Sequence, residues 1–166
     1  GPGLSMSDAL PVELAHLSWL IGRWGGIGEG GYPTIEPFRY EQVVEFACDG
    51  RPFLEYRSVS WIVDEDNNRL RRAATESGYW RPQTNGQLEV IIAQPTGYAE
   101  IYVGTAAAGK IELNTDVVAR TVTAKEYNAG SRLYGLVEGD LLWALDMAAV
   151  GQPMQSHVSA RLKRIS

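Results

Sequence analysis

Cysteine, histidine and long apolar runs are what this 166-residue chain has least of. One cysteine, Cys48, cannot form an intrachain disulfide, so the fold must be held by burial and hydrogen bonding. Two histidines, His16 and His157, leave little material for a hydrolytic triad or for a zinc site, which wants three or four side-chain ligands. No apolar run is long enough for a transmembrane helix, and no signal-type segment opens the chain. With the lone cysteine, this points to a cytoplasmic protein without a membrane. A net charge of -5 and a pI near 5.1 count against nucleic acid as partner, because phosphate neutralisation needs clustered Lys and Arg. The length suits one domain, expected over residues 9–166, with 1–8 read as an expression scar and disordered N-terminus.

Turn residues and short β-rich runs make up most of the rest. Between Ala9 and Ile21, Leu10, Leu14, Leu17, Leu20 and Ile21 recur at helical spacing behind a candidate cap at Ser7 or Asp8. Beyond Trp24, long helical patterns do not return. Eleven runs read as strands: 22–30, 38–48, 53–63, 70–80, 87–94, 98–105, 110–118, 121–128, 132–137, 141–147 and 154–163. Their separators carry hairpin chemistry, as in Asp49-Gly50, Asn85-Gly86 and Glu138-Gly139-Asp140. An antiparallel meander of about ten strands has two edges, and closure removes both. The expected fold is therefore all-β: an up-and-down antiparallel barrel of about ten strands with a short N-terminal helix. Leu141-Leu-Trp-Ala-Leu-Asp-Met is apolar on both faces and needs cover outside as well as inside.

Six glycines fall within Gly22–Gly31, interrupted by Trp24 and followed by Tyr32-Pro33-Thr34. The segment lacks Gly-Lys-Ser/Thr and does not open a helix after a strand, so it is no phosphate loop. It reads as a tightly curved opening strand in which absent side chains let something come close, or simply as a kinked strand with a tryptophan plug. His157 lies in the closing strand. Period-two alternation puts it in phase with Gln155, Ser159 and Arg161, away from a dry interior, unless a bulge near Pro153 resets the phase. Haem is the cofactor that a single histidine can hold, since the porphyrin brings four nitrogens of its own. His16, in the helix, is a poor second ligand. Lys125 is either a cation for a haem propionate at the rim or a solvated lysine. Thr34 offers a hydroxyl or is a turn residue.

Together these residues resemble the nitrobindin family of haem-binding β-barrels. The family's G-x-W-x-G-x-G stands here as Gly22, Trp24, Gly26 and Gly28, trailed by Tyr32-Pro33-Thr34, and its closing-strand histidine matches His157. Pro37–Tyr40, Pro52–Leu54, Glu76–Tyr79 and Ala124–Glu126 extend the likeness over nearly all of Leu14–Arg164. The resemblance implies a ten-stranded barrel with one haem b at its mouth, iron bound by His157, Thr34 and Lys125 as secondary contacts, and a largely apolar opposite face. Trp24, Tyr32 and Trp143 are candidates to wall that pocket. It also implies ferric haem that binds nitric oxide and converts peroxynitrite to nitrate, in a monomer or weak homodimer. A nitric oxide carrier without turnover, and a haem-free barrel for an apolar ligand such as a fatty acid, are the competing readings.

Overall fold

The computed structural model describes residues 10–166; the expected scar and disordered stretch 1–8, and the caps Ser7 and Asp8, lie outside the described residues. A 3-10 helix over Val12–Leu20 precedes ten strands: β1 (Gly22–Tyr32), β2 (Ile35–Ala47), β3 (Leu54–Val63), β4 (Arg69–Pro82), β5 (Gln87–Gln94), β6 (Tyr98–Ala107), β7 (Lys110–Arg120), β8 (Tyr127–Val137), β9 (Asp140–Ala149) and β10 (Gln155–Arg164). Each strand pairs antiparallel with its sequence neighbours, and β1 pairs with β10, so the sheet closes. The up-and-down barrel is as expected. Tight turns set the order: Glu138 (φ 52) and Gly139 (φ 80) both take positive φ between the paired residues Val137 and Asp140, the primed-turn geometry that suits strand twist.

Eleven expected runs become ten strands because 121–128 is mostly connection. The Thr121 N–H donates to the Gly97 carbonyl (2.9 Å) and the Ala124 N–H to that of Thr121 (3.1 Å), which folds the chain into a turn before β8 begins at Tyr127. The Val and Thr content of that run gave a strand signal that local turn bonding overrides.

The helix closes one end of the barrel. Leu14, Leu17 and Leu20 recur every third residue, which a helix of three residues per turn lines up on one face, and all three are wholly buried. They join Trp24, Phe46, Leu54, Trp80, Leu88, Ile111, Leu141 and Leu162 in one core. The Trp24 indole N–H donates to the Leu20 carbonyl (2.9 Å) and ties the plug to β1. Burying each such leucine contributes roughly 1.5–3 kcal/mol.

The other end is open. The β4–β5 ladder covers only Ser77–Pro82 against Leu88–Ala93, so β4 runs on towards Arg69 paired with β3 alone. The β7–β8 ladder likewise stops at Asn114 and Ser131. Connections 33–34, 64–68, 95–97, 121–126 and 150–154 ring this mouth. The apolar outer face of β9 is not covered by the helix, which sits at the far end. Leu142 and Ala144 instead line an outer groove of about 810 Å³ with Leu133, Ile27 and Arg161; His157 is not part of it.

Candidate functional site

His157 owes its direction to a bulge. Along β10, Ala160 and Leu162 are buried while Ser159, Arg161 and Lys163 are exposed, so strict alternation would turn His157 outward. Against β9, however, Ser156 pairs with Asp146 and Val158 with Leu145, leaving His157 as the extra residue. A bulge resets the phase, and the ring packs edge-on against the inward-facing Tyr32 and Phe38, with centroids 5.8 and 6.3 Å away. The reset falls on the histidine itself.

Hydrogen bonding then fixes which nitrogen is free. His157 Nδ1 lies 3.0 Å from the Gly31 carbonyl oxygen, which can only accept, so Nδ1 carries the proton and Nε2 keeps its lone pair. Burial holds the ring's pKa below its usual value, with the Gly31 bond opposing, and the neutral imidazole is favoured. Tyr32 braces the arrangement from the next strand. Its hydroxyl donates to the Met147 carbonyl (2.9 Å) and accepts from the Ala149 N–H (3.1 Å), linking β1 to β9 across the bulged strand. Gly30 and Gly28 make the room: a Cβ on Gly30 would overlap the Phe38 ring, and one on Gly28 would lie 2.6 Å from Tyr40 Cζ.

Thr34, in the β1–β2 turn, and Lys125, in the 121–126 connection, are both exposed and belong to the same open end as His157. The Lys125 backbone carbonyl accepts from the Tyr98 hydroxyl at 2.6 Å. His16 belongs to the helix at the closed end, so no second imidazole reaches the mouth. Cys48 is buried near the closed end, its Sγ 3.4 Å from the Gly50 N–H. Of the three aromatics expected around the pocket, Tyr32 alone touches His157. Trp24 belongs to the plug, and Trp143 stacks on Tyr134 at 5.5 Å and donates to Gln42 Oε1 at 2.8 Å. Among the described residues no three His, Cys, Asp or Glu side chains gather as a metal site. A group that needs one imidazole and brings its other ligands suits this donor set; zinc does not.

Below the mouth the interior carries charge beside an apolar cluster of Tyr32, Tyr127 and Ala149. Arg132, fully buried, donates to both carboxylate oxygens of Glu76 (3.0 and 2.7 Å), to the Tyr102 hydroxyl (3.0 Å) and to that of Tyr134 (3.1 Å). Tyr56 donates to Glu76, Tyr102 and Tyr127 to Glu100, and Gln94 to both carboxylates. Burial would raise the Glu76 pKa, but the Arg132 guanidinium outweighs it and holds the carboxyl below its usual range. This belt of charge spans the barrel beneath the open end. The β4–β5 seam, where Glu76 and Gln94 sit, lies halfway round the ring of strands from β10.

Sequence reading passed over this belt, although the signal was present. Glu76 shares its phase with Gly78 and Trp80, Glu100 with Tyr102, and Arg132 with Tyr134, each a charged residue in the inward register of its strand.

A family model described as a THAP4-like, heme-binding beta-barrel domain matches residues 13–164. The chain is 52% identical over 159 residues to a protein from Nocardioides sp. (strain ATCC BAA-499 / JS614) named peroxynitrite isomerase, covering 96% of this chain and 97% of that one. It is 52% identical over 178 residues to a ferric nitrobindin-like protein of Kineococcus radiotolerans, covering 98% and 99%. The crystal structure of Rv2717c from M. tuberculosis superposes with a TM-score of 0.86 at 39% identity, covering 95% of this chain and 100% of that one.

Proposed function

This chain belongs to the THAP4-like, haem-binding β-barrel family, and from that premise we propose that it is a ferric haem b protein that isomerises peroxynitrite to nitrate and binds nitric oxide. The observation that carries the proposal is the His157 ring, pinned through Nδ1 to Gly31 so that Nε2 is left free at the open end. Haem held there would supply a ferric centre for converting peroxynitrite to nitrate.

The chain's own residues do the rest. His157 Nε2 would hold the haem iron, and the Gly31 carbonyl holds the proton on Nδ1, fixing the tautomer as an outer partner does for ligating histidines. Tyr32 and Phe38 restrict the ring's rotation by packing against it. Lys125, at the rim, offers its ammonium to a porphyrin carboxylate, and Thr34 offers a hydroxyl from the neighbouring turn. The helix plug shuts the far end, so ligands enter and leave through the mouth or its split seams.

The buried belt favours this reading over a haem-free lipid carrier. An extended acyl chain would have to lie where Glu76, Glu100 and Arg132 occupy the interior, against groups that repel hydrocarbon. We further place the protein in the cytoplasm as a monomer or weak homodimer, the first supported by its free, buried Cys48.

The test is peroxynitrite decay with the hemin-loaded protein, nitrate and nitrite being quantified. Faster decay with nitrate as product is expected. Reversible nitric oxide binding with no acceleration of peroxynitrite decay would leave a carrier.

A further inference from the structure

Six tyrosines are buried, and five of their hydroxyls are committed. Tyr32 is held by the β9 backbone, Tyr56 by Glu76, Tyr102 and Tyr127 by Glu100, and Tyr134 by Arg132. The sixth, Tyr40, is only 4% exposed and its hydroxyl has no hydrogen-bond partner among the described residues. Leaving a buried hydroxyl unpaired costs about 1–3 kcal/mol, so a site that keeps one is short of a partner. Three other buried donors or acceptors share this condition, in His16, Arg39 and Trp80. His16 and Trp80 belong to the closed end. Arg39 is outward on β2, where its other guanidinium nitrogen binds Asn67. Tyr40 alone of the four points inward beneath the mouth.

Its position is set by register. Tyr40 is one inward step below Phe38, whose ring touches both Tyr40 (6.0 Å) and His157 (6.3 Å). It pairs with Gly28 on β1 and Ile62 on β3, and the absent side chain of Gly28 lets its ring lean inward past β1. Glu76, Tyr134 and Arg132 are close enough to act on it electrostatically, yet none bonds its hydroxyl. Burial first, then Glu76 and Tyr134, hold the phenol's pKa above its ordinary value, so the oxygen keeps its proton. The hydroxyl is a buried donor without an acceptor, between Phe38 and the charge belt.

We propose that Tyr40 donates a hydrogen bond to the oxygen-bearing anion that the haem site takes up, and so helps to determine which small ligands the protein retains. The inference rests on the haem reading above and adds to it a specificity residue two strands away from His157. It also gives the opening glycine motif a reason: Gly28 makes room for the donor's ring and Gly30 for Phe38, which backs the ligand histidine.

The experiment compares wild type with Tyr40→Phe, each titrated with hemin and then, as ferric protein, with fluoride, a small anion whose retention and charge-transfer band respond to hydrogen-bond donors. Equal hemin affinity is expected, with fluoride bound about three- to tenfold more weakly by the variant, the worth of one net hydrogen bond, and with a shifted band. In the cofactor-free proteins, urea denaturation should give the variant a midpoint equal to or above that of wild type, because an unpaired group has been removed. Unchanged fluoride affinity and band in Tyr40→Phe would overturn the inference while sparing the haem reading. A lower urea midpoint in the cofactor-free variant would overturn it too, since the hydroxyl would then be paired already, to a resident water. Wild type that takes up no hemin would remove the parent reading, and this one with it.

Discussion

The two ends of the barrel are built on opposite rules. At the closed end, ladders run to the strand tips and the interior is dry, with Leu14, Leu17, Leu20, Leu54, Leu88, Ile111 and Leu162 essentially without exposed surface. At the open end two ladders stop short, a bulge interrupts β10, and a histidine, tyrosines and a buried ion pair share the interior with a small apolar cluster around Ala149. Packing at the closed end supplies a stable frame, on which the open end can carry an unpaired hydroxyl, a half-buried imidazole and an incomplete sheet without losing the fold. The division teaches that stability and ligand chemistry are separable in this molecule.

That separation can be broken in order of severity. Arg132→Met should be the most damaging change to stability, because it leaves Glu76 charged and buried without its guanidinium; a loss of about 3–5 kcal/mol in urea denaturation is expected. Such a loss would show that the belt, although near the site, belongs energetically to the frame. Leu17→Ala should cost about 2–5 kcal/mol through the cavity it leaves in the plug, with hemin affinity unchanged in the protein that remains folded. If hemin affinity fell in step, the two ends would not be independent.

The effect of pH is smaller and acts at the open end. Burial lowers the His157 pKa in the folded protein, so the unfolded chain takes up the proton first as pH falls through the ordinary histidine range. The group's contribution to stability is therefore lost on acidification. Hemin affinity should stay level through neutral pH and fall only below the lowered pKa, where a proton competes for Nε2; a spectroscopic titration from pH 8 to 5 checks this. Lys125→Ala should have the least effect. Its side chain is exposed, and an exposed ion pair is worth about 0–1 kcal/mol, so hemin should bind less than about fivefold more weakly, the difference vanishing at high salt.

How far the sequence discloses this molecule also divides by end. The plug and the strands rest on periodicity, which a sequence carries openly: 87–94 is strand to the residue, and the leucine spacing names the buried face of the helix. At the open end the determining features are breaks in periodicity. His157 reads as outward until the extra residue in β10 is seen, and 121–128 reads as strand because its turn is made by backbone bonds to Gly97 and Thr121. The belt was hidden for another reason. Glu76 and Arg132 are 56 residues apart, and no local pattern says that two inward charges will meet.

The account turns on one imidazole, and the most direct measurement is a hemin titration of wild type beside His157→Ala, with the thermal midpoint of each recorded. Wild type should develop a ferric Soret band that saturates at one hemin per chain. The variant should show none while melting at nearly the same temperature, since His157 belongs to the open end and not to the frame. A His157→Ala protein that binds hemin with wild-type affinity and an unchanged spectrum would contradict the assignment of the ligand and everything derived from it.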